Sequence, residues 1–381
     1  MDLSSSMESL VGRPTVAEID LAALRANYFA LSKLVNGADL MAVVKADAYG
    51  HGAVQVARAL AAEGCGHFGV ATVEEGRELR EASIRGRIYA MGGFFEHQAA
   101  EIAALDLTPL AFDLASIAAL DKAAAGHGRG VFRIHLKIDS GASRLGLRLE
   151  DLNAAIAELR RSHSLQLEGL CTLLANAGDP TSPTNDQQLK RFASALERLR
   201  AEGFAVPVVH VANSAALVLR KDSHFNMVRP GLAIYGLPPV PAVRDLVELQ
   251  PVMTFKTRLL QVKRVPAGTG VSYGHTFVTS RDSAIGVLPV GYADGYRRGL
   301  QHGGEVLIRG RRAPVVGAVC MDLTMVDLTD VPGAAPGDEV VLWGRSGDET
   351  ISVNDVARVV QTISYEMLCT VGKRVPRIHR S

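Results

Sequence analysis

The sequence predicts an α/β protein: a (β/α)8 TIM-type barrel followed by a C-terminal mostly-β domain. Two observations support this fold class. Over roughly the first 230 residues, short apolar runs alternate with helical segments, which is typical of parallel strands joined by right-handed crossovers. After Pro238 the pattern changes to β-type runs separated by turns rich in Gly and Pro. We place the domains at residues 1–240 and 241–381, and leave open whether the extreme N-terminal segment packs on the β domain.

The apolar runs of the first domain are eight candidate strands, and eight repeats favour a closed barrel over an open sheet. They are Leu40–Val44, His67–Val70, Arg87–Met91, Thr108–Phe112, Phe132–Ile138, Leu167–Thr172, Val208–Ala212 and Met227–Val228. A helix over Leu21–Leu34 precedes the first strand. Helices are also predicted at Val54–Ala62, Val73–Ala82, Glu96–Leu105, Ser116–Ala124, Leu149–Arg161, Asp186–Glu202 and Ser214–Leu219.

A proline-rich linker is predicted in the segment PPVPAVRDLVELQPV, which joins the two domains near Pro238–Pro241, and a run of β-type segments follows it. The predicted strands of this domain are Met253–Val265, Ala284–Val290, Glu305–Ile308, Pro314–Val319, Thr324–Leu328 and Glu339–Trp343. Only one long helix is predicted there, at Val353–Gln361.

Composition excludes several classes of protein. The 381 residues are 48% hydrophobic, which argues against disorder, and 41 Lys and Arg nearly balance 40 Asp and Glu. A net charge of +1 argues against a nucleic acid partner held by bulk charge. No stretch reaches the roughly 18 apolar residues that span a membrane, no secretory signal is visible, and four cysteines form no disulfide framework. We expect a cytoplasmic globular protein.

A lysine stands directly after the first predicted strand, and barrel active sites lie at the C-terminal ends of strands. Lys45 follows LMAVV. An apolar setting lowers the pKa of a lysine and makes a neutral amine available for a Schiff base or general-base role. The alternative is a strand-end lysine that reaches solvent. The following DAYGHG favours the functional interpretation, because Tyr49 can direct its hydroxyl into the same mouth.

Cationic and small residues follow three other predicted strands. Arg144, in HLKIDSGASRLG, and Arg229, in MVRPGLAIYG, are suited to bind a carboxylate or an anionic cofactor, with solvated arginines as the alternative. Asn213 and Ser214 begin a helix after the seventh strand, and Gly231 follows the eighth. Barrels often bind phosphate between these two positions. Ordinary caps and turns are the alternative for each residue taken alone.

The β domain contains further candidates in the motifs VSYGHTF, GYADGY, VCMD and ISYEM. These candidates are Tyr273, Tyr292, Asp294, Met321, Asp322 and Tyr365. Tyrosines beside glycines are often simple turn residues, so the motifs alone assign no role. His51, His210 and His275 are too scattered for metal-ligand spacing, and no nucleotide-binding fingerprint occurs. We expect no metal site.

Eight motifs occur in the order seen in one known family: VVKADAYGHG, KIDSGASRLG, HVANSAA, VRPGLAIYG, VSYGHTF, GYADGYRRG, VCMD and ISYEMLCTVGKRVPRI. From about Pro14 to Ile378 the sequence therefore resembles the alanine racemases. The resemblance implies a barrel that binds pyridoxal 5′-phosphate (PLP) and a following β domain. It also implies a homodimer with active sites shared between subunits, which supplies D-alanine for peptidoglycan.

The resemblance implies a role for each matched residue. Lys45 matches the lysine that binds PLP covalently, and Lys45 and Tyr273 match the two catalytic bases, with Tyr273 contributed by the other subunit. Cofactor contacts are expected from Tyr49, His210, Asn213, Ser214, Arg229, Gly231, Leu232 and Tyr365. Substrate-side contacts are expected from Arg144, Tyr292, Met321 and Asp322. Lys137 matches a lysine that is carbamylated in some members, and its state here is left open.

These roles suggest a mechanism. Racemisation takes a proton from one face of Cα and returns one to the other, which two bases on opposite faces can do. Arg229 matches the arginine that faces the pyridine nitrogen. Because an arginine does not readily give up its proton, Arg229 should leave that nitrogen unprotonated and so limit side reactions such as transamination.

The sequence departs from the family pattern at several positions. Leu173 stands where a histidine is usual, Ala318 where an arginine is common, and Leu323 where a glutamine is common. Asp47 replaces a frequent asparagine, and Ser143 replaces the usual glycine. We expect reduced or altered racemase activity. The alternatives are a racemase of a larger amino acid, such as serine or lysine, and a PLP-binding protein with little catalysis.

Overall fold

The structure, a computed structural model, describes residues 12–35, 37–128 and 130–381. Residues 1–11, the extreme N-terminal segment whose packing was left open, lie outside the described residues. The chain forms two compact units: Ala22–Gln250, and Pro251–Ser381 together with the described residues up to Leu21. The sequence placed a boundary at 240/241, but the first unit continues to Gln250. The side chain of Asn27 explains this difference, because it both donates to and accepts from the backbone of Gln250 at 2.8 Å.

Eight parallel strands close into a barrel in the unit Ala22–Gln250, as the sequence predicted. Strands are numbered from β1 (Val16–Asp20), which belongs to the other unit. The barrel strands are β2 (Asp39–Val43), β3 (His67–Val70), β4 (Arg87–Ala90), β5 (Thr108–Ala111), β6 (Phe132–Lys137), β7 (Leu165–Cys171), β8 (Val208–Asn213) and β9 (Met227–Arg229). Pairing of Leu40 with Val228 closes the ring. The predicted fold class is therefore confirmed, including its short eighth barrel strand.

Helices connect these strands. They span Leu21–Ser32, Ala53–Ala62, Val73–Glu81, Ala99–Ala104, Leu114–His127, Leu152–Arg161, Pro183–Ala201, Ser214–Leu219 and Pro241–Arg244. The last of these lies within the predicted proline-rich linker. Local capping fixes several starts: Thr72 accepts from the amide of Glu75, whose carboxylate accepts in return from the amide of Thr72. Among the described residues, no helix has the length and apolar character needed to cross a membrane.

The second unit is mostly β, also as predicted. Its further strands are β10 (Met253–Arg258), β11 (Gln261–Val265), β12 (Gly270–Val271), β13 (Phe277–Val278), β14 (Ser283–Leu288), β15 (Glu305–Ile308), β16 (Arg311–Pro314), β17 (Thr324–Asp327), β18 (Glu339–Ser346), β19 (Glu349–Ile351) and β20 (Arg377–Arg380). They form a seven-stranded sheet in the order β16-β15-β18-β10-β1-β20, with β19 on β18, and a three-stranded sheet β11-β14-β17; β12 pairs with β13. Two helices, Val353–Val359 and Ser364–Cys369, complete the unit.

Two predicted strands of this unit differ from the structure. The run Met253–Val265 is two strands in different sheets, because Leu259 and Leu260 change partners: the Leu259 amide donates to Asp338 and the Leu260 amide to Val287. The run Pro314–Val319 is mostly not a strand; its first residue ends β16, which forms a hairpin with β15. Apolar content alone did not reveal these changes of partner.

Candidate active site

A cavity of about 420 Å³ lies at the C-terminal ends of the barrel strands. Its charged lining residues are Lys45, Lys137, Arg144 and Arg229. Among the described residues that line it, none is a carboxylate. Four cations around one cavity, without a neutralising acid in its wall, favour an anionic ligand.

A left-handed turn places Lys45 and Tyr49 on this cavity. After β2 ends, Ala46, Asp47, Ala48 and Tyr49 all have positive φ, between 52° and 54°. Such a conformation costs an L-residue about 1–2 kcal/mol, so the surroundings must hold it in place.

Side chains supply much of that support. Glu75 accepts from the amide of Ala46 at 2.6 Å, and the carboxylate of Asp47 accepts from the amide of Ala53 at 2.8 Å. The hydroxyl of Tyr235 donates to the carbonyl of Val43 at 2.9 Å, just before the turn. Asp47 therefore provides the acceptor that the family's frequent asparagine can also provide.

The turn brings the Tyr49 hydroxyl against the loop after β9. A Cβ at position 231 would overlap with that hydroxyl, so glycine is required there for steric reasons. The Ser214 hydroxyl accepts from the amides of Gly231 at 2.9 Å and Ala233 at 3.3 Å, while Asn213 caps the helix Ser214–Leu219. The residues predicted from strands 7 and 8 thus converge, with Leu232 between the two bonded amides.

Arg229 ends β9 with its guanidinium buried beside the cavity. It donates to Nδ1 of His210 at 2.8 Å, to the carbonyl of Thr172 at 2.8 Å and to that of Val211 at 3.0 Å. Burial lowers the pKa of Arg229 from its usual value, and burial lowers the pKa of His210 far below the usual range for histidine. Arg229 still keeps its proton in a protein, so His210 is the neutral acceptor of this pair.

Lys137 and Arg144 lie on the opposite part of the wall, at the end of β6 and in the loop after it. Burial lowers the pKa of Lys137, and the cations Arg229, Arg144 and Lys45 lower it further. Asp139 holds the loop by accepting from the amides of residues 141, 142 and 143. Ser143 has φ of 51°, a conformation that the family's usual glycine adopts without steric cost.

Leu173 lines the cavity beside Arg229, at the position where the family pattern has a histidine. Its backbone is fixed by Gln188, whose amide donates to the Leu173 carbonyl at 2.9 Å and whose side-chain oxygen accepts from the amide of Ala175 at 2.8 Å. An aliphatic side chain thus occupies a defined place in the wall, and it offers Arg229 no hydrogen bond.

The second unit contains a separate recess that collects the predicted β-domain residues. It is lined by Tyr273, Tyr292, Arg298, Ala318, Val319, Cys320, Met321, Asp322 and Leu323. Backbone and side-chain bonds join its three loops: Ser272 donates to the Ala318 carbonyl at 2.7 Å, and the Tyr292 amide donates to the Cys320 carbonyl at 3.1 Å. Several lining side chains are open to solvent, with Tyr273 76% and Met321 53% exposed.

A buried carboxylate, Asp294, which the motif GYADGY offered as a candidate without an assigned role, organises this recess. Asp294 is fully buried and is paired with the guanidinium groups of Arg13 and Arg374. Burial by itself would raise the pKa of Asp294, but the two arginines hold it below its usual value. Arg374 also binds Asp322 at 2.7 Å. Asp294 stands in GYADGY, whereas its partners Arg13 and Arg374 lie far from that motif in the chain, so the motif alone does not reveal them.

The structure thus brings the predicted residues together in two groups, one in each unit. Tyr365 lies in the helix Ser364–Cys369 of the second unit, where burial raises its pKa, and it is not among the residues that line the recess. His135, Glu168, Thr172 and Gln188 were missed as site residues. His135 stands two positions before Lys137 on β6 and so shares its face, which is the one signal that could have found it.

The barrel group fits the cofactor that the resemblance implies. PLP carries a phosphate, and the cavity is lined by cations together with Tyr49 and Asn213. The Tyr49 hydroxyl lies against Gly231, whose amide donates to the Ser214 hydroxyl, so further polar groups lie beside Tyr49. A lysine that can form a covalent bond lies in the same wall.

Comparison with known proteins agrees with this geometry. Residues 19–239 match the family model for the alanine racemase N-terminal domain, and residues 252–379 match that for the C-terminal domain. The chain is 45% identical to an alanine racemase of Symbiobacterium thermophilum, over 96% of this chain and 97% of that protein. It is 40% identical to an alanine racemase of Halothermothrix orenii, over 98% and 99% of the two chains.

Solved structures give the same result. The alanine racemase from Streptomyces coelicolor A3(2) matches with a TM-score of 0.92 and 38% identity, covering 96% of this chain and 98% of that chain. The match to these proteins extends over the barrel and the β domain alike. The chain therefore belongs to the alanine racemase family, as its motifs indicated.

Proposed function

We propose that the protein is a PLP-dependent racemase that interconverts L- and D-alanine with two bases, Lys45 and Tyr273, and supplies D-alanine for peptidoglycan in the cytoplasm. The observation that carries the proposal is the charge of the barrel cavity. Lys45 and three other cations line its wall, and none of the described lining residues is a carboxylate. This charge pattern suits a ligand with a phosphate and a substrate with a carboxylate.

Each group of residues has a part in holding the cofactor. Lys45 would provide the covalent attachment, and Tyr49, Asn213, Ser214 and the loop amides at Gly231 and Leu232 would hold the phosphate; the family resemblance adds Tyr365. Arg229 would lie at the ring nitrogen, with His210 as the acceptor that holds its guanidinium. When bound, PLP supplies a conjugated system that accepts the electron pair left on Cα after deprotonation.

The side chains move and hold the protons. Lys45 exchanges the proton on one face of Cα and Tyr273 exchanges it on the other, so that removal and return on opposite faces invert the centre. Arg144 binds the substrate carboxylate. Because Arg229 keeps its proton, it would donate to the ring nitrogen of bound PLP rather than protonate it, which would weaken the electron sink and limit transamination.

A homodimer would complete the site. Tyr273, Met321 and Leu323 are exposed by 76%, 53% and 39% in one recess, and exposed apolar clusters of this kind mark interaction surfaces. We propose that a second copy of the chain covers this recess, so that Tyr273, Tyr292, Met321 and Asp322 serve the barrel cavity of the other subunit.

A racemase of a larger amino acid is the second candidate. The observation that favours it is Leu173, an aliphatic side chain in the cavity wall next to Arg229. Loss of the usual histidine there changes the polarity of the wall and so could alter which side chain is accepted.

The test is a chiral assay of the purified protein on alanine, serine and lysine, each as the L- and the D-enantiomer, with and without added PLP. Alanine should be interconverted with the highest kcat/KM, and PLP should be required. A higher value for serine or lysine would replace alanine by the second candidate. A yellow protein that interconverts no enantiomer would instead be a PLP-binding protein.

A further inference from the structure

Two buried histidines connect Arg229 to a carboxylate deeper in the barrel. Nε2 of His210 lies 2.8 Å from Nδ1 of His135, and Nε2 of His135 lies 3.5 Å from Oε2 of Glu168. Nε2 of His135 is buried and makes no hydrogen bond among the described residues; the Glu168 carboxylate, 3.5 Å away, is the acceptor that lies beside it. We call the four residues Arg229, His210, His135 and Glu168 the histidine column.

The column has one consistent direction of hydrogen bonding. Arg229 can only donate, so Nδ1 of His210 must accept and its Nε2 must carry the proton. Nδ1 of His135 then accepts, and its Nε2 carries a proton directed at Glu168. An ionised carboxylate can only accept, so the two ends of the column demand the same tautomer of both histidines.

The barrel is built to present Glu168 to the column. Along the pair of strands β6 and β7, Ile134 is opposite Leu167 while His135 is opposite Gly169, so Glu168 is the extra residue of a β-bulge. Bulges re-aim a side chain. A Cβ at position 169 would overlap with the His135 ring, so Gly169 provides the room that this ring occupies.

Glu168 is held in its ionised form. Burial alone would raise the pKa of Glu168, but the bonded Arg87 guanidinium and the nearby His135 ring lower it to about 2. Arg87, the first residue of β4, is paired with Glu168, and Arg133 lies 3.7 Å away. By contrast, the described partners of Arg229 are His210 and two backbone carbonyls, so its buried charge has no carboxylate beside it.

We propose that Glu168 is a positioning residue for racemisation: through His135 and His210 it fixes the acceptor that holds Arg229 toward the cofactor's ring nitrogen. The inference rests on the proposed function for the role of Arg229, and it adds a residue that touches neither substrate nor cofactor. Leu173 offers Arg229 no hydrogen bond. Among the described residues, the side chain that bonds to Arg229 is therefore His210, a member of the histidine column.

The test compares Glu168→Gln with a matched control, Glu101→Gln, which removes a barrel carboxylate bonded to Arg77 but distant from any histidine in the column. Glutamine keeps the size of Glu168 but can donate as well as accept, so it no longer demands one tautomer. If it donates to His135, the column reverses and a proton on His210 Nδ1 opposes the N–H of Arg229.

The first readout is independent of catalysis. In cofactor-free protein labelled with 15N-histidine, the ring nitrogens of His135 and His210, assigned by loss of signal in His135→Gln and His210→Gln, should report the Nε2–H tautomer in the wild type. Glu168→Gln should show a second tautomer population, and Glu101→Gln should not. Unchanged tautomers in Glu168→Gln would overturn the inference.

The second readout is the pyruvate formed from alanine per racemisation turnover. A merely structural loss would lower racemisation and pyruvate formation together. A misplaced Arg229 should instead raise the ratio of pyruvate to racemisation about threefold to tenfold, the factor that corresponds to the free energy of one hydrogen bond. An unchanged ratio would overturn the inference. If Glu168→Gln does not fold, His135→Gln breaks the same column and must raise the ratio.

The two proposals fail separately. Suppose that the wild type does not racemise, yet shows the fixed tautomers and loses them in Glu168→Gln. The proposed function would then be refuted, while the effect of Glu168 on the histidine tautomers would stand. A wild type that racemises alanine, with Glu168→Gln unchanged in both readouts, would keep the function and refute the role of Glu168.

Discussion

The hydroxyl of Tyr49 occupies the space that a side chain at Gly231 would need. Tyr49 comes from the turn after the first barrel strand, and Gly231 from the loop after the last. Their contact joins the first and last loops of the barrel at the place where we propose that phosphate binds, so the two residues depend on each other.

Gly231→Ala should weaken PLP binding. Overpacking costs about 1–3 kcal/mol. If the displaced Tyr49 hydroxyl is a phosphate ligand, this cost raises the dissociation constant of PLP at least about fivefold. The constant can be measured by absorbance titration of cofactor-free protein. Gly126→Ala is the control, because a Cβ there meets nothing within 4 Å. Unchanged binding in Gly231→Ala would show that Tyr49 and this loop do not hold the phosphate.

Lys45→Ala should abolish the covalent attachment of PLP. Borohydride reduction of the wild type should fix PLP to the peptide that contains Lys45, as seen by mass spectrometry after digestion. Lys137→Ala removes another lysine of the same cavity and should retain the adduct. A trapped adduct that persists in Lys45→Ala would exclude Lys45 as the attachment site.

Subunits with complementary defects should restore activity when mixed. Lys45→Ala and Tyr273→Phe homodimers should each be nearly inactive, but a hybrid contains one site with both bases if Tyr273 acts across the interface. Racemisation should therefore reappear after unfolding, mixing and refolding. Hybrids that form, as shown by mass spectrometry, but stay inactive would argue that each site draws both bases from one chain.

Leu173→His should change alanine racemisation. The substitution returns a hydrogen-bonding group to the wall beside Arg229, and a satisfied buried polar group is worth about 1–3 kcal/mol, so kcat/KM for alanine should rise about tenfold. Leu173→Gln is the control for polarity without an imidazole. If histidine has no effect, or the wild type already turns over as fast, the expectation of impaired activity is wrong.

Stability should fall in mild acid because of the buried histidines. Burial lowers the pKa of both His135 and His210, so the unfolded chain, with histidine pKa near about 6.5, binds these protons more readily. Their contribution is fully present above about pH 6.5 and is lost as the pH falls below it.

The thermal midpoint of cofactor-free protein should thus be lower at about pH 5.5 than at about pH 7.5. His135→Gln should reduce this difference, and His163→Gln, at an exposed position, should leave it unchanged. An equal pH dependence in His135→Gln would mean that His135 is not neutral in the folded protein.

The barrel and the place of its site could be predicted because they follow from local pattern. Lys45, Arg144 and Arg229 were found by asking which polar residues follow apolar runs, and their clustering is a property of any closed parallel barrel. The β domain was predicted less well, since exchange of a strand between sheets near Leu259 depends on distant partners.

The place of Glu168 in the histidine column and the partners of Asp294 depend on geometry that has no local signal. Glu168 reads as an ordinary strand residue, and only the register shift opposite His135 directs it to the column. Asp294 is buried between Arg13 and Arg374, which lie near opposite ends of the chain. Sequence spacing does not encode such pairings.

The four left-handed residues after Lys45 have a consequence for how the site comes into being. At about 1–2 kcal/mol each they oppose folding by roughly 4–8 kcal/mol, which is comparable to the whole stability of a typical domain. An isolated peptide with the sequence VVKADAYGHG would adopt other conformations, and its lysine and tyrosine side chains would no longer have a fixed relative position. The placement of Lys45 and Tyr49 on one cavity therefore depends on the closed ring of strands.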